Sequence, residues 1–327
     1  MTLINIKKLR RLRVNKSIRN LVKETQFSLS DLIQPIFIEE VITEAYPIES
    51  MPGINRIPES HLSIEIKELY ELGIRFVMPF GISHHKDSEG SDTWDENGLL
   101  ARMIREIKRA CPEMVVIPDI CFCEYTSHGH CGVLVDGHVS NQSTVDNLIK
   151  QSLTAARAGA DMLAPSSMMD GQVYAIRTAL DNEGFHSVSI LAHSVKFASS
   201  YYGPFRLAVD CSIKGDRKEY QLDCGNARQA LLEATLDENE GADILMVKPG
   251  MPYLDVVSQL RQNTLLPVAV YQVSGEYAAL KFAAQAGAID EKSSVLESMI
   301  SFKRAGADII VSYFAKDIAI WFSKGEL

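Results

Sequence analysis

No run of about 18 or more apolar residues occurs in the 327-residue chain, which argues against an ordinary membrane-spanning helix. The N-terminus also lacks the compact apolar stretch of a secretory signal, so a soluble protein of the cytoplasm is expected. Cysteine is scarce: six residues do not suggest a disulfide framework in so long a chain, and a cytosolic cysteine cluster is more often metal-binding or catalytic. Positive charge is outnumbered, and a net charge of -9 argues against a general nucleic-acid binder. Acidic residues are missing from the first 23 positions, which carry Lys7, Lys8, Arg10, Arg11, Arg13, Lys16, Arg19 and Lys23. That basic stretch fits a nucleic-acid arm, an organelle transit peptide or a tail that docks on a neighbouring subunit.

What is present is a 46% hydrophobic chain, enough to bury a full core. Eight short apolar runs rich in β-branched residues recur at 33–38, 75–80, 114–120, 161–165, 189–195, 243–247, 267–273 and 308–313. Between them, segments such as 60–72, 99–110, 145–158, 227–238 and 294–304 carry apolar residues at three- and four-residue spacing. Strand and helix alternating in this way imply parallel pairing with helices outside the sheet. An internal echo agrees: "ARAGADMLAPS", "NEGADILMVKP" and "KRAGADIIVSY" each run from helix end through a Gly turn and an Asp into an apolar strand. The Gly supplies a left-handed cap. Eight such units over about 250 residues match a TIM (β/α)8 barrel, with an open doubly wound sheet as the alternative. No GxGxxG follows the first strand, so the dinucleotide-binding version of that alternative lacks its phosphate loop. Pro35, Pro79 and Pro118 fall inside expected strands and predict bends or early strand ends there.

Chemistry in such barrels sits at the carboxyl ends of the strands. Cys121 and Cys123 close the third run, Ser166 the fourth, Lys196 the fifth, Lys248 the sixth, Ser274 the seventh and Tyr313 the eighth. In "CFCEYTSHGHC", residues 121–131, the first two cysteines share a side of an extended chain and Cys131 can return across a Gly-containing turn. Three thiolates suit one soft or borderline cation, and His128 or His130 is a candidate fourth ligand. A closed set of four would be structural, an open position catalytic. The spacing is not that of a C-x-x-C redox pair.

Lys196 and Lys248 would stand at the ends of adjacent strands, aimed into one pocket. Burial and a neighbouring cation both disfavour the ammonium form, so at least one amine is expected to be neutral near pH 7 and able to attack a ketone. Two such amines would handle two carbonyl substrates. Between them, "YYGPFRLAVDCSIKGDRKEYQ" is long for a βα connection and predicts a lid, with Arg206, Arg217 and Lys218 suited to substrate carboxylates.

Together "PDICFCEYTSHGHCG", "GADMLAPSSMMDG", "SVKFASSYYGPFR", "GDRKEYQ", "EGADILMVKPGMPYLD", "YQVSGEY" and "KRAGADIIVSYFAKD" resemble the delta-aminolevulinic acid dehydratase (porphobilinogen synthase) family over nearly the whole chain. The resemblance implies a TIM barrel over 31–327 with an extended N-terminal arm over 1–30 that wraps a neighbouring subunit of a homo-octamer. It implies condensation of two 5-aminolevulinate molecules to porphobilinogen with loss of two waters, in tetrapyrrole biosynthesis, with no nucleic acid or membrane as partner. By position it puts Schiff bases on Lys248 and Lys196, one substrate carboxylate on Arg206 and Arg217 with Gln221 nearby, and the other on Ser274 and Tyr313. Cys121, Cys123 and Cys131 match the zinc-dependent branch, and Glu233 matches the carboxylate associated with a stimulatory magnesium in some members. The chain departs from the family's usual pattern at Glu124 (usually Pro), Ser167 (usually Asp) and Gln172 (usually basic), and "LAHSVKF" differs from the more familiar "MSYSAKF". A Schiff-base aldolase on the same barrel would need one lysine and no thiolate metal site. A zinc-stabilised binding protein would need no active amines.

Overall fold

In the computed structural model, which describes residues 7–211, 213 and 215–325, the eight expected strands form one closed parallel barrel. They are β1 (Leu32–Glu39), β2 (Phe76–Ile82), β3 in two short pieces (Val115–Val116 and Asp119–Ile120), β4 (Met162–Pro165), β5 (Ser189–Lys196), β6 (Ile244–Lys248), β7 (Val268–Gln272) and β8 (Ile309–Ser312). Pairing runs in order from β4 to β8, and β8 returns to β1 through Leu32↔Ile310. β1 pairs with β2, and the ring closes through β3, whose first piece pairs with β2 (Phe76↔Val115) and whose second pairs with β4 (Asp119↔Ala164).

Of the three strand prolines, only Pro118 interrupts its strand; it lies in the gap between the two pieces of β3. Pro35 and Pro79 continue through β1 and β2, paired to Met78 and Ile36 respectively, against the expectation of a break. Each stands where one flank of its strand is open. β1 leaves β8 at Ile33 and meets its short neighbour Asn55–Pro58 only at Phe37, and β2 leaves β3 at Val77. A missing N–H on an open flank breaks no ladder bond.

Helices Leu62–Glu71, Leu99–Ala110, Asn141–Ala158, Ala227–Glu240 and Glu291–Ala305 occupy the five stretches with helical periodicity. Three of them end in the left-handed glycines of the echo, Gly159, Gly241 and Gly306, at φ of 104°, 103° and 117°. The aspartate after each glycine has its own task. Asp161 Oδ2 accepts from the Val116 N–H of β3 (2.8 Å), Asp243 Oδ2 from the Ile190 N–H of β5 (2.7 Å) and Asp308 Oδ2 from the Val268 N–H of β7 (2.9 Å). At the amino-terminal end of the barrel, carboxylates before β4, β6 and β8 thus each satisfy a backbone donor at the start of β3, β5 and β7.

At the other end, aromatic rings fill the mouth: Phe37 stacks on Tyr313 at 5.8 Å and lies 5.7 Å from Phe80, and Tyr271 sits 6.1 Å from Tyr313. Before the barrel, the turn Leu9–Arg13 and the helix Lys16–Leu21 bury none of their residues, leaving Leu9, Leu12, Val14 and Leu21 exposed. The first six residues of the expected arm lie outside the described residues. Among the described residues no helix is long and apolar enough to cross a membrane.

The aspartate bonds generate a stability prediction. Asp243→Ala leaves the N–H of fully buried Ile190 without its side-chain acceptor and should cost about 1–3 kcal/mol in urea unfolding. Asp243→Asn, which keeps an acceptor oxygen, should recover most of that loss.

Candidate active site and metal centre

Lys196 closes β5 and Lys248 closes β6, and the two are direct register partners across the parallel pair. Both side chains are buried among groups at the barrel mouth that include Ser166, Tyr202, Phe205, Tyr271, Ser274 and Tyr313. The Lys196 Nζ donates to the Ser166 carbonyl at 2.5 Å. The Lys248 Nζ has ring neighbours instead, 4.3 Å from the centre of Tyr271, 5.8 Å from Phe205 and 6.0 Å from Tyr202.

Their electrostatics diverge. Burial first, and then the Lys196 cation, lowers Lys248 to a pKa of about 8, although the ring faces favour its charged form. Burial also pulls Lys196 down, but the Cys131 and Cys121 thiols, the Asp119 carboxylate and Cys123 outweigh it and hold its pKa above the ordinary lysine value. Near neutrality about one Lys248 in ten is therefore a free amine, and Lys196 carries the charge that keeps it so.

Asp119–Ile120 leads directly into the thiol cluster. Ligand atoms of Cys121, Cys123 and Cys131 lie within 4.8 Å of one another, all three buried, with Cys121 Sγ and Cys123 Sγ 3.7 Å apart. Burial pushes the Cys121 thiol well up, and Cys131, despite its bond with Cys121, reaches about 11. Three crowded, dry thiols are costly to ionise without a cation among them. Neither candidate histidine joins that group: His128 accepts from the His130 N–H (3.1 Å) and lies 3.0 Å from the Ser88 carbonyl, and His130 Nδ1 lies 3.2 Å from the Tyr220 hydroxyl. The protein therefore brings three sulfur ligands together. Asp119 and Glu124 approach from the Cys121 side, and Glu124 is raised to about 8 by burial and by the Asp119 charge beside it.

The long insertion covers the mouth. Its two ends are pinned by a Phe197↔Leu222 bridge, and it contributes Tyr202, Phe205, Arg206 and Arg217 to the pocket wall. Arg217 donates to the Gly129 carbonyl at 2.9 Å, yet its Nε and that of Arg206 are buried with no hydrogen-bond partner among the described residues. Two guanidinium edges held in this way call for an anion. Across the mouth, Ser274 Oγ accepts from the Phe205 N–H (2.9 Å), and the Tyr271 hydroxyl donates to that of Tyr313 (3.2 Å).

Gln221 and Lys218 are placed elsewhere. They line a neighbouring cleft with Asp170, Glu233 and Asp237. There burial raises Asp237 to about 7, and burial together with Asp170 raises Glu233. Sequence reading missed the aromatic wall around Lys248: the rings in "YYGPF" were visible, but nothing in their spacing pointed at a lysine more than forty positions away. Ser167 and Gln172, two of the departures, are both buried, and Gln172 accepts from the Met169 N–H at 3.2 Å rather than offering a charge.

The delta-aminolevulinic acid dehydratase family model matches residues 6–321. The delta-aminolevulinic acid dehydratase of Escherichia coli (strain K12) is 58% identical over 314 residues, 96% of this chain and 97% of that protein. The Helicobacter pylori (strain J99) enzyme is 49% identical over 315 residues, 96% of this chain and 98% of that protein. A crystal structure of the Toxoplasma gondii ME49 enzyme in complex with the reaction product porphobilinogen superposes with a TM-score of 0.95 at 46% identity, covering 98% of this chain and 92% of that one.

The Lys248 environment sets a pH response. Because its pKa is lowered, the nucleophilic amine appears as pH rises: borohydride trapping of a small ketone on Lys248 should climb through about pH 8 and level off above it. Lys196→Met removes the neighbouring cation, so the midpoint should move to higher pH, as read by peptide mass spectrometry across a pH series.

Proposed function

The chain belongs to the delta-aminolevulinic acid dehydratase family and has porphobilinogen synthase activity in tetrapyrrole biosynthesis, and from that premise we propose that Lys248 and Lys196 each hold one 5-aminolevulinate as a Schiff base. The observation that carries this reading is the register pairing of the two buried lysines in one pocket. Lys248, the amine with the lowered pKa, adds to the ketone carbon of one substrate, and water leaves as the imine forms. The protonated imine draws electrons from the neighbouring carbon and so eases loss of a proton there. Lys196, once it has given up its proton, holds the second ketone as an imine with loss of a second water, and as carbon–carbon and carbon–nitrogen bonds form between the two substrates each lysine–carbon bond breaks and returns the free amine. The net loss is two waters, one for each ketone oxygen consumed.

Arg206 and Arg217 orient one carboxylate from the lid, using Nε donors that have no hydrogen-bond partner among the described residues. Ser274 and Tyr313 take the other on the opposite wall. Gln221, which lines the neighbouring cleft four residues after Arg217, supports the same carboxylate site from the base of the lid. The aromatic wall excludes water, which favours imine over hydrolysis.

Cys121, Cys123 and Cys131 are proposed to hold zinc. Tetrahedral bonds of about 2.3 Å put sulfurs about 3.8 Å apart, close to the 3.7 Å between Cys121 and Cys123. Three protein ligands leave a position open, and zinc bound there supplies a Lewis acid at the pocket edge. Glu233 is proposed to bind a stimulatory magnesium, with Asp170 and Asp237 beside it. Carboxylates that converge less tightly than the thiols suit an ion that keeps several waters. The arm, whose helix buries nothing on its own chain, is proposed to dock on a neighbouring copy in a homo-octamer.

Incubation with 5-aminolevulinate should give porphobilinogen, detected with Ehrlich's reagent. Chelation should abolish the colour and zinc, not magnesium, should restore it; full activity in zinc-free protein would remove the metal from the mechanism. Glu233→Gln should lose any stimulation by added magnesium while keeping its zinc-dependent rate, measured by titrating magnesium at saturating zinc.

A further inference from the structure

The lid is seated at separate points around the barrel mouth, and two of its fastenings come from side chains with no place in the pocket. On the β7 side the seat is main-chain packing. The Ser274 hydroxyl donates to the Tyr201 carbonyl (3.3 Å), and a Cβ on Gly275 would stand 2.5 Å from that carbonyl oxygen, so only glycine lets the lid approach this closely.

On the β1–β2 side two cations reach up. Arg56, in the short strand Asn55–Pro58 that pairs with the end of β1, donates from Nη2 to the Leu207 carbonyl at 2.7 Å. Its Nη1 is held by Glu39 at 3.1 Å, and Glu39 in turn meets His84 at 3.0 Å. Lys86, in the loop after β2, donates to the Asp210 carbonyl at 2.7 Å, with the Asp210 carboxylate 3.9 Å away.

Leu207 belongs to the lid helix Gly203–Ala208, and its carbonyl lies in the last turn, where backbone acceptors lose their helical partners. Asp210 follows that helix in a left-handed conformation, φ 49°, which turns the chain back towards Cys211 and Arg217. Arg206 immediately precedes Leu207. Any loosening of the helix end therefore displaces a guanidinium that faces the pocket.

We propose that Arg56 and Lys86 are positioning residues that latch the lid shut through the Leu207 and Asp210 carbonyls, and so set the affinity for the substrate whose carboxylate the lid arginines receive. This rests on the two-lysine reading above. The latch acts on binding and not on the lysine chemistry, so it separates half-saturation from imine formation. Arg56→Met and Lys86→Met should each raise the half-saturating concentration of 5-aminolevulinate about three- to tenfold, the range over which one net hydrogen bond shifts an equilibrium, with kcat less affected. The double variant should exceed either. Arg56→Lys, which keeps a donor, should recover part of the loss.

Amide hydrogen exchange at 203–211 should speed up in the same order, and borohydride trapping of substrate on Lys248 at saturation should stay at the parent level. Lys86 is a partly exposed loop residue, so Lys86→Met tests the latch even where Arg56→Met fails to fold. Unchanged half-saturation and unchanged lid exchange in Lys86→Met and in the double variant would overturn the latch. Absence of a trapped lysine in the parent protein would instead sink the two-lysine reading, and lid exchange would still judge the latch.

Discussion

Two primary amines placed side by side in a dry cavity repel each other unless one gives up its proton, and that constraint organises the mouth of this barrel. Parallel pairing of β5 with β6 sets Lys196 beside Lys248 in register. Every other feature of the site answers the resulting charge problem. Ring faces surround Lys248 and offer only weak compensation for its charge, whereas Lys196 finds a backbone carbonyl and lies within the field of the thiol cluster. One lysine becomes the easier nucleophile and the other the source of the repulsion that makes it so.

The thiol cluster couples to this arrangement through space. Cys121, Cys123 and Cys131 support the charge on Lys196, and the lid arginine Arg217 feels the same sulfurs. A divalent cation bound there would draw the protons off these high-pKa thiols and replace three neutral groups by a charged cluster beside Lys196. Metal content and amine protonation thus belong to one electrostatic system. The Nε groups of Arg206 and Arg217, unpartnered among the described residues, add a demand for anions at the lid side of the cavity.

Much of the architecture could be read before any coordinates. Strand and helix alternate with different periods, and the glycine–alanine–aspartate echo marks a recurring corner whose aspartate turns out to satisfy a donor at the start of the neighbouring strand. The positions of both lysines and all three cysteines followed from the rule that chemistry sits at strand ends. Three matters were beyond such reading. Whether Pro35 and Pro79 break their strands depends on which flank is open, a property of the assembled sheet. Gln221 follows the pocket arginine Arg217 by four residues but lines the adjoining cleft, where the chain re-enters pairing at Leu222. The difference between the lysines was also hidden: each ends an apolar strand, and only the packed structure gives one a carbonyl and the other a ring.

The divided third strand has a mechanical consequence. Its lower half is tied to β2 and its upper half to β4, and the hand-over falls at residues 117–118, where the Ile117 N–H donates to the Val77 carbonyl of β2 (3.0 Å) and the Pro118 carbonyl accepts from the Ala164 N–H of β4 (3.1 Å), immediately below the stretch that carries Asp119, Cys121 and Cys123. β4 stands between that hand-over and β5, which carries Lys196. The sulfur-bearing segment is thus hung from β4 by an unbroken ladder, which fixes the height of the sulfurs against the stave that carries the amine.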